Sequence, residues 1–295
     1  MTAPGGTVAV VGVGNMGGAM AARLLSLGWT VRVRDLDPAK VAALRALGAK
    51  PTASAAEAAA GCLGLIVCVV DAGQCDEVLF GADGAAAVLA AGTPVVLCPT
   101  IGPHDAERLA DALAARGLRA VDAPMSGGPA RARDGTMSLM VACSDDTHAG
   151  VLPLLQALSN RLFRVGTRPG DGARTKLVNN LLAGINLVGA AEAIAMAGRL
   201  GLDPARTLDV IEQSSGQSWI GSDRMRRALA GDWAPRAHVS LLQKDTRLAV
   251  ESASAAGFHG PLGAAARDVF ERAARAGLAD LDDAALLRLL AADGP

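Results

Sequence analysis

The segment that most constrains this chain is Thr7-Val-Ala-Val-Val-Gly12-Val-Gly14-Asn15-Met16-Gly17-Gly-Ala-Met. A short β-branched run closes on a glycine, and apolar residues at helical spacing follow it. Strand, G-x-G-x-x-G and helix in that order make a dinucleotide-binding turn. Gly12 permits the tight bend, Gly14 lets backbone approach a pyrophosphate, and Gly17 lets helix and strand touch. The anion would rest on the helix N-terminus, whose N–H groups lack partners within the helix. A second strand, Thr30–Arg34, ends at Asp35, 23 residues beyond Gly12, where an acid meets the adenosine ribose. A carboxylate there accepts from a 2′-hydroxyl and repels a 2′-phosphate. Leu36 follows it, not an arginine. NAD is therefore the expected cofactor and NADP the less favoured one, with Arg34 able to soften that choice.

The pattern then repeats. Residues 63–70, 94–98 and 118–122 read as further buried strands, the first a continuous apolar run suited to a parallel sheet covered on both faces. Residues 105–115 form a helix between the last two, and 137–142 and 161–165 read as peripheral strands. From Gly170 onward helices dominate: a long apolar one, another opened by Asp203-Pro204, then 239–256, 262–276 and 281–291. The expected fold class is α/β. A Rossmann-type doubly wound domain over residues 1–166 precedes an all-α substrate and dimerisation domain over 167–295. The long helix joins them as a hinge.

Charge and cysteine usage exclude several functions. Lys+Arg 28 against Asp+Glu 29 leaves a net charge of −1, without the basic footprint that nucleic acid or an anionic membrane surface requires. Residues 181–197 resemble a membrane span in length, but Asn186, Glu192 and interrupting glycines favour a buried helix. The five cysteines lack C-x-x-C spacing and read as reduced thiols, with no metal site and no disulfide framework. The first residues carry no positive segment and make a poor secretory signal, so a cytoplasmic location is expected. The absence of tyrosine excludes a tyrosine acid/base.

Ligands of open α/β sheets bind beyond the carboxyl ends of the strands. Three loops there carry candidate groups: Asp71 after one strand, Thr100 after another, and Ser126-Gly127-Gly128 after a third. In the last, a hydroxyl and two unhindered N–H groups either converge on a carboxylate or form an ordinary turn. Lys176 and Asn180 lie four residues apart at the start of the long helix, on one face. A lysine and an amide are costly to keep dry there, unless the lysine snorkels to solvent. Lys244-Asp245 opens another apolar helical face, either as a solvated pair or as part of a site.

Taken in order, these motifs resemble the β-hydroxyacid dehydrogenases over about residues 7–290. Residues 12–20 resemble that family's cofactor signature, with Asn15 and Met16 between its glycines. Residues 122–128 resemble its substrate signature, with Met125 where valine is commoner. Residues 170–180 resemble its catalytic signature, and Lys244-Asp245 its lysine-aspartate pair near nicotinamide and substrate. The resemblance implies Lys176 as acid/base, Asn180 and Ser126 to Gly128 as substrate ligands, and Thr100 beside the cofactor. Pro99 stands where a serine or threonine is usual, and Arg131 and Arg133 stand where small residues are usual. Residues 76–81 and 231–236 lean toward the L-threonate dehydrogenase branch.

The implied reaction is reversible, NAD-dependent oxidation of a small β-hydroxy acid such as 3-hydroxyisobutyrate, glycerate or threonate. A lysine serves as base only when neutral, so its pKa must fall from about 10.4 toward about 7–8 in a desolvated site beside a cationic cofactor. Related decarboxylating enzymes place a glutamate seven residues after the lysine. That position is Ala183 here, and Glu192 lies about 160° round the helix, so dehydrogenation without decarboxylation is expected. The rival readings are a non-catalytic NAD(P)-binding module and a related imine or semialdehyde reductase. A histidine-based dehydrogenase would need an orienting partner for His104, His148, His238 or His259, and no motif supplies one. A small carboxylate substrate and a homodimer or homotetramer complete the expectation.

Overall fold

The computed structural model describes residues 6–292, and the chain divides into two compact units, 1–176 and 177–295. The first unit is built on nine strands. They are β1 (Thr7–Val11), β2 (Thr30–Arg34), β3 (Lys50–Pro51), β4 (Gly64–Val67), β5 (Pro94–Leu97), β6 (Arg119–Asp122), β7 (Met125–Ser126), β8 (Ser138–Ala142) and β9 (Arg161–Gly166). Six of them run parallel in the order β3-β2-β1-β4-β5-β6. β8 joins β6 antiparallel, and β7 and β9 pair with β8. Order reverses between β1 and β4, the crevice at which doubly wound sheets receive dinucleotides.

The two-residue period of a strand explains why the sheet is buried on both faces. Val8, Val10, Val31, Val33, Ile66 and Val96 pack into one apolar layer. Ala9, Val11, Leu65, Val67, Val95 and Leu97 pack into the opposite one. The two peripheral strands expected near residues 137–142 and 161–165 are β8 and β9. The short strands β3 and β7 went unforeseen: two residues are too few to carry a period. β4 stops at Val67, short of the apolar run that continues to Val70, because Asp71 caps the next helix, Ala72–Phe80.

The second unit is helical. It holds most of the long helix Asp171–Arg199, then Pro204–Glu212, Trp219–Leu229, Val239–Ala255, Pro261–Ala273 and Leu286–Ala292. The helix Trp219–Leu229 was not expected, since its four charged residues mask its apolar spacing. The long helix is only partly buried, contrary to the sequence expectation. Leu187, Ala191 and Ile194 enter the unit's core beside Phe270, while Val178, Leu182 and Met196 are exposed. An apolar composition all round hides which face packs.

Charge is buried here in an ionic network. Arg227 Nη1 donates to Asp282 at 3.0 Å and its Nε to Asp232 at 3.0 Å, while Arg224 pairs with Asp283 and Asp223. Asp282 also accepts from the N–H of Arg236 (2.7 Å) and Ala284 (3.1 Å). Burial opposes its charge, yet those N–H donors and Arg227 hold its carboxyl below the usual range. Burial dominates at Asp283, whose carboxyl is pushed up to about 6. Removing one member strands the others, so Asp282→Ala is expected to cost about 3–5 kcal/mol in urea unfolding. A loss below about 1 kcal/mol would show that water replaces the carboxylate.

Candidate active site

The glycine loop follows β1 and leads into the helix Asn15–Ser26. Gly12 has φ +86°, and a Cβ on it would lie 2.5 Å from the Cys68 carbonyl oxygen. A Cβ on Gly17 would lie 2.0 Å from the Gly12 carbonyl oxygen. Packing of the protein on itself therefore dictates both glycines. It does not dictate Gly14, where a Cβ would meet nothing within 4 Å. The bare α-carbon there leaves room for close approach from outside. The helix has Gly14 at its N-cap, no capping side chain and no acid in its first turn, so its N-terminal donors and dipole suit an anion.

Asp35 lies at the end of β2 and is tied to the same loop. Its Oδ2 accepts from the Val13 N–H at 2.7 Å and its Oδ1 from the Asp37 N–H at 2.9 Å. Both bonds hold the carboxylate in place and leave lone pairs for hydroxyl donors. Arg34 Nη1 is occupied by the Asp35 carbonyl. A shallow pocket lined by Arg34, Asp35, Leu36, Val41 and Thr52 adjoins this carboxylate. The donor set and the bare Gly14 fit a dinucleotide with free ribose hydroxyls.

Asp71 and Thr100 follow β4 and β5 at the same carboxyl edge of the sheet, since all these strands are parallel. Asp71 caps its own helix, Oδ1 accepting from the Gln74 N–H at 2.8 Å. Ser126 lies in β7, paired with Ser138 of β8. Gly127 and Gly128 both take positive φ, +125° and +75°, and open the short helix Gly128–Asp134. The stem of Arg131 runs over Gly127, where a Cβ would come within 2.9 Å of Arg131 Cδ.

Lys176 is buried on the long helix, only 7% exposed. Ahead of it, Asp122 at the end of β6 accepts from the N–H groups of Gly170 (2.7 Å) and Ala173 (3.0 Å). Burial pushes the Asp122 carboxyl up to about 6 despite those donors. A carboxyl raised above its unfolded value of 3.8 favours folding below that pH and loses the contribution as pH rises toward about 6. At neutral pH its charge is kept at a cost. Sequence reading placed Asp122 at a strand end and at the start of the Ser-Gly-Gly motif, and gave it no role of its own. Its partners lie 48 and 51 residues away in the chain.

In the second unit Asn180, 8% exposed, donates Nδ2 to Asp245 Oδ2 at 2.5 Å and accepts from Asn179 Nδ2 at 3.0 Å. A carboxylate only accepts, which fixes the amide's orientation. Lys244 Nζ stands 2.9 Å from Asp245 Oδ1, near enough to pair but off the hydrogen-bonding direction, so that oxygen makes no hydrogen bond among the described residues. Asp245 is buried, which rules out the solvated-pair reading for it. Sequence reading missed its hold on Asn180, a pairing across 65 residues.

Residues 7–166 match the family described as the NAD binding domain of 6-phosphogluconate dehydrogenase. Residues 170–290 match that described as the NAD-binding region of NADP-dependent 3-hydroxyisobutyrate dehydrogenase. The chain is 38% identical over 282 residues to an L-threonate dehydrogenase of Cupriavidus necator, covering 96% of this chain and 95% of that one. It is 39% identical over 277 residues to a 3-hydroxyisobutyrate dehydrogenase of Pseudomonas aeruginosa, covering 91% and 92%. A crystal structure of 3-hydroxyisobutyrate dehydrogenase from Salmonella typhimurium superposes with a TM-score of 0.91 at 36% identity, covering 96% of this chain and 99% of that one. This chain belongs to the β-hydroxyacid dehydrogenase family. It is an NAD-dependent dehydrogenase acting on a hydroxyl group, as its nucleotide-binding unit and relatives agree.

The glycines of the dehydrogenase's first loop are separable by experiment. Gly14→Ala is expected to leave the unfolding midpoint unchanged while weakening NADH binding at least tenfold, about 1.4 kcal/mol. Gly17→Ala is expected to lower both. Fluorescence titration and thermal unfolding of the two variants check this, and equal effects in both would overturn the distinction.

Proposed function

We propose that this enzyme reversibly oxidises a small β-hydroxy acid, without decarboxylation, using Lys176 as the acid/base. The observation that carries the reading is the pair Lys176 and Asn180. Both are buried, at 7% and 8% exposed, one turn apart on a single helix. Burial opposes the charged form of a lysine and so favours a base that works near neutral pH.

Each remaining residue then has a role. Gly12, Gly14, Asn15, Met16 and Gly17 hold the pyrophosphate, and Asp35 the adenosine ribose. Asp71, Thr100 and Lys244 line the cofactor. Ser126 and the N–H groups of Gly127 and Gly128 take the substrate carboxylate. Bound NAD supplies the hydride acceptor. Lys176 takes the hydroxyl proton during oxidation and returns it during reduction. Asn180 spends one N–H on Asp245 and keeps the other for the reacting oxygen or its neighbour, holding it in line. Ala183 offers no proton to an enol carbon, which supports dehydrogenation alone.

The first unit serves the cofactor, and the helical unit serves substrate and self-association. The reading favours threonate among 3-hydroxyisobutyrate, glycerate and serine. The name of the Cupriavidus necator relative and segments 76–81 and 231–236 support it. Initial rates of NADH formation across these acids, with NAD⁺ and NADP⁺, test it. One acid should turn over with NAD⁺, and Lys176→Ala should lower that rate by about 10²–10⁴-fold with NADH binding retained. Stoichiometric CO₂ release, or a Lys176→Ala variant at full rate, would sink the mechanism. A homodimer or homotetramer is expected through the exposed Val178, Leu182 and Met196. Light scattering should give twice or four times 29.7 kDa, falling to one chain in Leu182→Glu. A wild-type monomer would refute it.

A further inference from the structure

We infer that Asp122 is a positioning residue, locking the first turn of the long helix onto the sheet so that Lys176 is presented in one fixed place. The inference rests on the proposed role of Lys176 and adds to it a residue that touches neither substrate nor cofactor. Asp122 is the last residue of β6. Its backbone sits between two strands, opposite Leu97 of β5 and Ala142 of β8. The carboxylate therefore projects from a rigid support. It is 3% exposed, and one oxygen, Oδ2, accepts from both Gly170 and Ala173.

The sequence Gly170-Asp-Gly172 is explained by this contact. Gly170 takes φ +98°, which turns its N–H toward the carboxylate. A Cβ on Gly172 would lie 2.8 Å from the carboxyl carbon of Asp122, so only glycine lets the helix come this close. The face held is the lysine's own. Gly172 and Ala173 precede Lys176 by four and three residues, one turn back on the same side, and helical side chains lean toward the N-terminus. Lys176 thus projects over the turn that Asp122 holds. The same strand runs on through Pro124 into Met125-Ser126, so one side chain fixes the spacing between the Ser-Gly-Gly loop and the lysine helix. That loop keeps its own pairing with β8.

Retention of a buried carboxylate whose charge opposes folding at neutral pH fits a functional role better than a stabilising one. Asp171 on the helix raises it further, and the thiols of Cys98 and Cys143 feel its charge. The backbone N–H groups of Ala173, Gly170 and Gly172 are what favour its charged form.

The test compares Asp122→Asn with Lys176→Ala in the intact enzyme, on the acid identified as substrate. Asparagine keeps the size but turns a donor or a neutral oxygen toward N–H groups that need a carboxylate. Asp122→Asn is expected to lower kcat by about 10- to 100-fold, with KM within about threefold and NADH binding unchanged. The acidic limb of the kcat profile for oxidation should move down by roughly half to one pH unit. Loss of a nearby negative charge eases deprotonation of the lysine. A merely structural role would not move that limb. Wild-type kcat with an unmoved limb in Asp122→Asn, beside an inactive Lys176→Ala, would overturn this inference alone. An active Lys176→Ala would overturn the lysine mechanism instead, whatever Asp122→Asn does. Should Asp122→Asn not fold, amide exchange in the wild-type enzyme decides. The Gly170 and Ala173 N–H groups should be strongly protected at neutral pH, since both are held by the Asp122 carboxylate. Exchange of both at the rate of an unstructured segment would refute the lock.

Discussion

A parallel sheet buried on both faces leaves its carboxyl edge as the place for polar chemistry. Val8 and Val10 face one apolar layer while Ala9 and Val11 face the other, so every buried position of β1 is apolar. The polar groups are displaced to where the strands end: the glycine loop after β1, Asp35 after β2, Asp71 after β4, Asp122 at the close of β6. Their gathering is a consequence of parallel pairing, because every strand of that set ends on the same side. The order reversal between β1 and β4 opens the crevice in which a dinucleotide fits.

Backbone N–H groups are the common currency at this edge. The Val13 and Asp37 N–H groups hold Asp35, the Gln74 N–H holds Asp71, and those of Gly170 and Ala173 hold Asp122. Carboxylates at helix starts satisfy donors that no helix satisfies for itself. The helix after the glycine loop has no side-chain cap and no acid in its first turn, and its N-terminal dipole suits an anion.

The helical unit solves a different problem. Its core around Phe270 and Met225 is apolar, yet two arginines and two aspartates are buried beside it. Such pairs repay desolvation only when every lone pair and N–H finds a partner. Asp282 meets that condition with a guanidinium and several backbone donors. Asp245 uses one oxygen to orient the Asn180 amide.

The sequence by itself determined the longer strands in their order, the glycine turn with its acid at Asp35, and the change to helices after Gly170. These are local: a period of two or 3.6 residues and the conformational demands of glycine act over a few neighbours. The same local reading marked Lys176, Asn180 and Ser126 to Gly128 as candidates, since each lies in a short motif. It did not reach the two-residue strands β3 and β7, too brief for any period. Nor did it tell which face of the apolar long helix packs. Only the tertiary structure decided that Asp122 grips the start of that helix and that Asp245 fixes the Asn180 amide. Those pairs lie about fifty or more residues apart in the chain. A carboxylate's partner is chosen by where the backbone brings N–H groups in space, and sequence spacing carries no record of that distance.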